Sequence, residues 1–192
     1  SIKEGEGYYI PLQHQTSNFQ LQISDVIQAL TPPLTNPKIK KIGHNIGYDY
    51  TMLKRHGLTI SPISFDTMIA EFITDPSSRN LGLKNLAFIR LGLEMTEIKE
   101  LIGTGKKQIT FDQVPLEPAA AYAVADCDVT LRLYPILKKE MDEKQGTKLF
   151  EEIELPLITV LAGMEMNGVA VDTEYLGEMS KQLDKQIASL EK

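Results

Sequence analysis

A phenol and a carboxylate lie four residues apart in one strongly helical stretch, at Tyr122 and Asp126. Side chains at that spacing share one face of a helix. Alanines at five positions between 119 and 125 favour the helix and leave room beside the polar pair. A phenol, with a pKa of about 10, orients a water molecule more readily than it removes a proton. The ordinary alternative stays open: Asp126 and Asp128 as solvated helix charges and Tyr122 as a half-buried aromatic residue.

A second carboxylate, Asp49, follows a predicted strand and the turn Gly43-His44-Asn45. It falls in the first turn of a predicted helix. Hydrolysis of a phosphodiester by two Mg²⁺ ions needs several oxygen ligands crowded around ions about 3.5–4 Å apart. Asp49 and Asp126 would supply part of that set if the fold brings them together. Spacing alone is weak evidence, because isolated aspartates occur in every protein.

The composition limits the possible classes of protein. The 192 residues suffice for one domain, or for one domain and part of a second. With 42% hydrophobic and 24% charged residues, the chain is typical of a soluble protein. A net charge of −6 argues against a basic patch that holds nucleic acid by phosphate contacts alone, whereas carboxylates with bound cations would attract phosphate.

Other sequence features concern cellular context. The single cysteine, Cys127, excludes an internal disulfide and is typical of a reducing cytoplasm. No apolar run approaches the ~20 residues of a membrane span, and no signal peptide precedes the first predicted strand. The abrupt start at Ser1 suggests a cut through a longer protein.

Strands alternating with helices predict an α/β domain that ends near Glu143. Ser24-Asp25 is expected to cap a short helix, and Thr31-Pro32-Pro33 to stop it. The predicted strands are 8–12, 39–42 and 60–65. The predicted helices are 26–30, 48–56, 66–73, 81–91, a long one between 118 and 143, 149–167 and 173–192. Residues 103–107 predict a flexible basic loop, and a change of character near Gly146 divides the chain into residues 1–145 and 146–192.

Two motifs carry a resemblance to a known family. Gly43-His44-Asn45-Ile46-Gly47-Tyr48-Asp49 resembles the second motif of the 3′→5′ proofreading exonuclease domain in family A DNA polymerases, the DNA polymerase I type. Tyr122-Ala123-Val124-Ala125-Asp126 resembles the third. Residues 65–68 and 107–111 are similar to the connecting segments of that domain, and 153–169 to the opening of the polymerase domain. The motifs come in family order at matching intervals over essentially the whole chain.

The resemblance implies a fold, a reaction and a set of roles. Residues 1–145 would adopt a ribonuclease H-like exonuclease fold, and 146–192 would form the first helices of a polymerase domain. The implied reaction is hydrolysis of the terminal phosphodiester at a single-stranded 3′ end of DNA, with two Mg²⁺ or Mn²⁺ ions. Asp126 would bind a metal directly, and Asp49 would hold the second through water. Tyr122 would position the nucleophilic water, and Asn45 would lie near the substrate strand.

Other polar residues are assigned structural roles. Asp66 is predicted to be a helix N-cap and Asp128 a solvated helix residue. The three histidines are assigned structural roles because no pair has the spacing of metal ligands; they are His14, His44 and His56. Lys106 and Lys107 either contact the DNA backbone or lie in a solvated loop.

The chain departs from the family at its first motif, an Asp-x-Glu on the central strand. No Asp-x-Glu precedes Asp49, and the motif is expected upstream of Ser1. Half of the metal-binding carboxylates would then be missing. The chain alone is therefore predicted to be inactive and to bind metal weakly or not at all. It is also expected either to self-associate, through the late helices or through sheet edges at 8–12 and 38–42 exposed by truncation, or to have a disordered N-terminal third.

Three hypotheses on function stay open. The first is a fragment of a proofreading exonuclease together with the start of its polymerase. The second is a vestigial exonuclease domain that acts as a structural spacer. The third is a free-standing nuclease similar to ribonuclease D. Retention of Asp49, Tyr122 and Asp126 favours the first hypothesis over the second, and the likeness of 152–169 to a polymerase opening disfavours the third.

Overall fold

The computed structural model describes residues 1–12 and 21–191, and within them the chain is a mostly helical α/β protein with a small sheet. The strands are β1, Lys41–Gly43, and β2, Ile63–Asp66. The helices are α1 (Ile23–Thr35), α2 (Ile46–Arg55), α3 (Thr67–Thr74), α4 (Leu83–Leu91), α5 (Ile98–Ile102), α6 (Leu116–Glu143), α7 (Thr147–Leu149), α8 (Leu155–Asn167) and α9 (Thr173–Leu190). Short 3₁₀ turns cover Gly105–Lys107 and Phe111–Gln113, and a π turn, Phe150–Glu154, leads into α8.

The two strands form a parallel pair, each leading into a helix at its carboxyl end. Gly43 pairs with Asp66, so α2 and α3 begin side by side at the same edge of the sheet. The buried Lys41 anchors the other end, where its Nζ donates to the carbonyl oxygens of Asn36 at 2.8 Å and Ser61 at 2.7 Å. Both strands lie where the sequence predicted strands, although each is shorter.

The predicted strand at 8–12 is wrong. Residues 8–11 have no regular secondary structure, and Leu12 makes only an isolated parallel bridge with Leu21. Pro11 has no N–H to offer a neighbouring strand, and the two-stranded sheet supplies no partner within the described residues. The expected open edge at 8–12 is therefore absent.

The N-terminal segment instead lies against α6. The backbone N–H of Gly5 donates to Asp128 Oδ1 at 2.7 Å, and Glu4 pairs with Arg132 at 2.8 Å. A Cβ on Gly7 would lie 2.5 Å from Val124 Cγ1, so a larger residue would push this segment off the helix. Side chains of α6 thus take the place of a sheet ladder.

Helix α1 also differs from its prediction. It begins after Gln22 rather than at Ser24-Asp25, and it continues through Pro32 and Pro33 to Thr35. The prolines remove the two backbone donors that would serve the carbonyls of Gln28 and Ala29. The hydroxyls of Thr31 and Thr35 donate to the carbonyls of Ile27 at 2.7 Å and Thr31 at 2.8 Å, so they add bonds to the turns on either side and do not replace the lost ones. The helix therefore continues through a stretch in which two backbone N–H groups are missing.

The main core lies between β2, α3, α4 and α6. Its centre is Phe65, whose ring packs edge-on against Tyr134 at 4.8 Å and at 5.0 Å from Phe150. Arg90 of α4 ties the surrounding helices together, because it pairs with Glu71 of α3 at 3.0 Å and Glu140 of α6 at 3.1 Å. These contacts hold α6 in place along its length.

A second core joins α8 to α2. Ile158 and Ala162 of α8 are buried against Ile46 and Tyr50 of α2 and against Ile60. Helix α8 therefore packs directly behind the helix that carries Asp49. The boundary near Gly146 remains a prediction. At that point a Cβ would lie 2.5 Å from Ile73 Cγ2, so the chain passes α3 where only glycine fits.

The last predicted helix is present as α9, and no residue of it is buried. Leu176, Met179, Leu183 and Ile187 form an exposed apolar stripe on it. Across residues 1–12 and 21–191, the structure contains no helix with both the length and the apolar character needed to span a membrane.

Candidate active site

Helix α6 brings Tyr122 and Asp126 to one cavity, as their spacing predicted. Buried Ala119, Val129 and Leu133 fix the rotation of the helix against the core. Tyr122 and Asp126 share the face of these buried residues, so the same rotation turns the polar pair inward, where both are half-buried. The cavity measures about 170 Å³ and is completed by small and apolar residues, which are Met95, Thr96, Leu101, Pro118, Ala121 and Ala125.

Asp126 is not a solvated helix charge. Its Oδ1 atom is buried and has no hydrogen-bond partner among the described residues. Burial raises the pKa of Asp126 above its usual value, and the positive charge of Lys84 partly opposes that rise. A buried carboxylate oxygen without a partner is costly unless a cation or a hydrogen-bond donor reaches it. The cavity therefore contains an acceptor suited to a bound ligand.

Tyr122 is held by one aromatic ring and one ammonium group. Its ring centroid lies 5.8 Å from that of Phe111. Lys84 Nζ lies 3.2 Å from the phenolic oxygen and 4.3 Å from the ring centroid, and it also donates to the carbonyl of Thr96. A role for Lys84 was not predicted from the sequence. The available signal was a lysine in the first turn of α4, where the helix dipole disfavours a cation.

Asn45 and Asp49 lie at the carboxyl end of β1. Gly43 is required in the turn, because a Cβ there would lie 2.7 Å from Ile46. Asn45 follows in the left-handed conformation, with φ of 55°, which asparagine tolerates better than most residues. Its side chain makes no capping hydrogen bond to α2, so the exposed amide stays available to a ligand.

Asp49 lies in the first turn of α2, as predicted. Although the residue as a whole is exposed, the protein surrounding its carboxyl group raises the pKa of Asp49 to about 6 by desolvation. A hydrogen bond from the backbone opposes this rise, and the nearby carboxylate of Asp66 adds to it. The negative charge of Asp49 is therefore poorly compensated in the protein without a bound cation.

Asp66 is the N-cap of α3, as predicted, and it also ties α3 to α2. Its Oδ1 accepts from the N–H groups of Met68 at 2.8 Å and Ile69 at 3.1 Å, and its Oδ2 accepts from Ile46 at 2.7 Å. The residue is 1% exposed. One buried carboxylate therefore fixes the start of both helices, and with it the position of Asp49.

The other polar residues named from the sequence differ in the contacts that they make. His44 Nδ1 lies 2.9 Å from Thr67 Oγ1, and burial lowers the pKa of His44 while Asp66 opposes that change. His56 is exposed at the end of α2, and His14 lies outside the described residues. The prediction for Asp128 is wrong in one respect: it is not solvated, because it binds Gly5 and Arg132.

Lys106 and Lys107 are exposed in the 3₁₀ turn, and either role given to them in the sequence analysis stays a prediction.

Comparison with known proteins decides the family. The family model of the 3′-5′ exonuclease domain of DNA polymerase A type matches residues 1–142. The chain belongs to this exonuclease family. DNA polymerase I of Chloroflexus aurantiacus is 42% identical over 185 residues, which cover 95% of this chain and 19% of that protein. DNA polymerase I of Pseudomonas aeruginosa is 35% identical over 197 residues, which cover 100% of this chain and 22% of that protein.

A solved structure supports the same fold. The POL domain of Pol1 from M. smegmatis, in complex with DNA primer-template and dNTP, matches with a TM-score of 0.67 at 24% identity. The match covers 88% of this chain and 26% of that one. The chain thus spans about a fifth of the length of the curated polymerases that it matches.

Exonucleases of this family are generally metal-dependent, and the residues present fit part of a metal site. Asp126 offers a buried oxygen without a partner, and Asp49 a carboxylate whose ionisation is opposed by its surroundings. Hard oxygen donors with uncompensated charge suit Mg²⁺ or Mn²⁺. Within residues 1–12 and 21–191, no group of three or more His, Cys, Asp or Glu side chains could hold an ion, and Asp49 does not line the cavity of Tyr122 and Asp126.

Proposed function

We propose that this chain is the proofreading 3′→5′ exonuclease module of a DNA polymerase I-type protein. In that protein it hydrolyses the terminal phosphodiester at a single-stranded 3′ end of DNA, in the cytoplasm, beside a DNA-directed DNA polymerase activity. The observation that carries the proposal is the cavity on α6, where Tyr122 and an unpaired buried oxygen of Asp126 meet in a chain of the exonuclease family.

Each site residue has a separate task in this proposal. Asp126 binds a Mg²⁺ or Mn²⁺ ion directly, and Asp49 holds a second through water. Bound divalent ions would generate the nucleophile from water and stabilise the charge that develops on the phosphate. Tyr122 orients the attacking water through its hydroxyl group. Asn45, exposed at the turn before α2, hydrogen-bonds the substrate strand.

The chain by itself is proposed to lack activity. Two carboxylates are too few to hold two ions about 3.5–4 Å apart, and no Asp-x-Glu precedes Asp49 in this sequence. A longer protein that supplies this motif would complete the site. The exposed apolar stripe of α9 further favours self-association of the chain alone, and each strand of the two-stranded sheet has only one strand partner among the described residues.

A second candidate function is a structural spacer whose exonuclease site has decayed. The orphaned oxygen of Asp126 argues against it, since a purely structural helix gains nothing from a buried acid without a partner. A free-standing nuclease similar to ribonuclease D is disfavoured by the identity to DNA polymerase I, which extends across 95% of this chain.

The test is digestion of 5′-labelled single-stranded DNA by the chain alone and by the longer protein, each with Mg²⁺ or Mn²⁺. We expect no digestion by the chain and stepwise shortening from the 3′ end by the longer protein. The rate should depend little on the terminal base, because every base offers a face for stacking. A longer protein with an intact Asp-x-Glu and no activity would support the spacer instead, and a marked preference for one terminal base would contradict the proposed mode of binding.

A further inference from the structure

Lys84 has no role in the proposed reaction, yet its ammonium group contacts Tyr122, which lines the cavity of the proposed site. It belongs to the first turn of α4 and reaches across to α6, where its Nζ is 3.2 Å from the hydroxyl of Tyr122. A lysine at this end of a helix faces the positive pole of the helix dipole. Its position therefore depends on compensating partners, and those in the structure are the Thr96 carbonyl, the ring and hydroxyl of Tyr122, and the charge of Asp126.

The hydrogen bond between Lys84 and Tyr122 can run in only one direction. An ammonium group has three N–H donors and no acceptor, so Lys84 donates and the phenolic oxygen accepts. The proton of Tyr122 must then point away from Lys84. A phenolic hydroxyl without such a donor is free to present its oxygen or its proton to a bound water molecule.

We propose that Lys84 is a positioning residue that fixes the hydroxyl orientation of Tyr122, so that its proton and remaining lone pair face a water molecule entering the cavity. This inference rests on the proposed exonuclease function. Lys84 then affects the rate of the chemical step and not the binding of DNA, because its ammonium group acts through Tyr122. The ring of Phe111, with its centroid 5.8 Å from that of Tyr122, packs against the phenol ring, whereas Lys84 contacts the hydroxyl group itself.

The chain offers a matched control in Lys54. Its Nζ lies 3.5 Å from the hydroxyl of Tyr50 and 5.3 Å from the centroid of that ring. This is the same kind of lysine–tyrosine contact, but it lies within α2, and its tyrosine does not line the cavity of Tyr122 and Asp126. Lys54→Met therefore removes an equivalent contact without touching the proposed hydroxyl.

The first readout does not depend on activity. In the chain labelled at the tyrosine Cζ carbons, the Tyr122 resonance is assigned by its absence in Tyr122→Phe. We expect Lys84→Met to shift this resonance. Lys84→Arg should keep it close to its wild-type position, because guanidinium N–H groups still donate, and Lys54→Met should leave it unchanged. Thermal melting of each variant shows whether it is folded. If Lys84→Met does not fold, the comparison of Lys84→Arg with the wild-type chain still tests the proposal.

The second readout is steady-state kinetics of the longer protein on single-stranded DNA. Lys84→Met should lower kcat roughly 10–100-fold, as expected for loss of a positioning contact. KM should change by less than about twofold, because substrate binding is not affected. Lys84→Met in a Tyr122→Phe background should lose little more, since both changes remove one contact. Lys84→Arg should recover most of kcat, and Lys54→Met should leave both constants unchanged.

Two results would overturn the inference: an unmoved Tyr122 resonance in folded Lys84→Met, or losses from Lys84→Met and Tyr122→Phe that multiply in the double variant. Failure of the proposed function looks different, because the longer wild-type protein would then cleave no DNA. In that case the resonance comparison would still decide whether Lys84 orients Tyr122.

Discussion

Asp66 and Asp49 lie at the carboxyl ends of β2 and β1, and their charges are balanced in opposite ways. Asp66 accepts three backbone N–H groups at the starts of two helices, where the helix dipoles also favour a negative charge. Asp49 has no comparable set of donors, and burial together with Asp66 raises its pKa to about 6. The first carboxylate therefore stabilises the fold, whereas the second is costly to the fold and available for binding.

Asp66→Ala should destabilise the protein strongly. It leaves the N–H groups of Ile46, Met68 and Ile69 without their acceptor in a buried region. We expect the free energy of unfolding to fall by about 1–3 kcal/mol or more, measured by urea denaturation. Asp184→Ala, on the exposed face of α9, serves as the control and should change it by less than about 0.5 kcal/mol. A loss from Asp66→Ala no larger than that of the control would refute this role.

Asp49 should give a pH-dependent stability effect in the absence of divalent ions. Its folded pKa is raised, so the folded chain binds a proton more readily than the unfolded chain and ionisation of Asp49 opposes folding. That opposition is complete above pH 6 and vanishes as the pH falls towards the unfolded value of 3.8. Asp49→Asn should therefore raise the Tm at about pH 8 and have little effect at about pH 4. The same gain at both pH values would show that ionisation is not the cause.

At the scale of elements, α8 matters because it packs behind the helix that carries Asp49. Ile158 is 7% exposed and contacts the core formed with α2, whereas Val160 on the same helix is 56% exposed. The residues predicted to begin the polymerase domain thus form part of the packing that supports α2 and the proposed site residue on it. A division at Gly146 separates motifs along the chain but not packing in space.

Ile158→Ala should consequently destabilise the region around α2. A buried isoleucine replaced by alanine typically costs about 2–5 kcal/mol, and we expect a value in this range from urea denaturation. Val160→Ala is the matched control on the same helix, with an expected change of less than about 0.5 kcal/mol. Hydrogen exchange of the α2 amides should also be faster in Ile158→Ala only. Equal effects of the two substitutions would mean that α8 does not support α2.

How far the elements could be predicted depended on where their stabilising contacts lie. Helix α3 and its cap at Asp66 were predictable because the signal is local. The irregular conformation of residues 8–12 was not predictable in the same way. Aromatic and β-branched residues favour a strand, but they form one only when a neighbouring strand pairs with them. Helix α1 continued through Pro32 and Pro33, where propensity alone predicts a stop; threonine hydroxyls add hydrogen bonds to the neighbouring turns, a contact that propensity does not report.

At the scale of the whole molecule, the site draws on parts of the chain that are far apart in sequence. Helical spacing predicted that Tyr122 and Asp126 share one face of a helix. The pattern of a strand leading into a helix predicted that Asp49 lies in the first turn of that helix. The sequence could not show the buried, unpaired oxygen of Asp126 or the approach of Lys84, because both depend on how α4 packs against α6. The motifs therefore predict which residues act, and packing determines their electrostatics.

The proposed division of roles has Asp126 bind metal and Tyr122 orient water in a 3′→5′ exonuclease. It is tested most directly by single-turnover cleavage of single-stranded DNA by the longer protein, with Mn²⁺ binding measured in parallel. Asp126→Ala should abolish nearly all cleavage and weaken Mn²⁺ binding. Tyr122→Phe should leave Mn²⁺ binding intact and slow cleavage roughly 10–1000-fold. Asp142→Asn, near the far end of the same helix, should change neither. Undiminished cleavage by Asp126→Ala, or equal losses of metal binding in Asp126→Ala and Tyr122→Phe, would contradict the account.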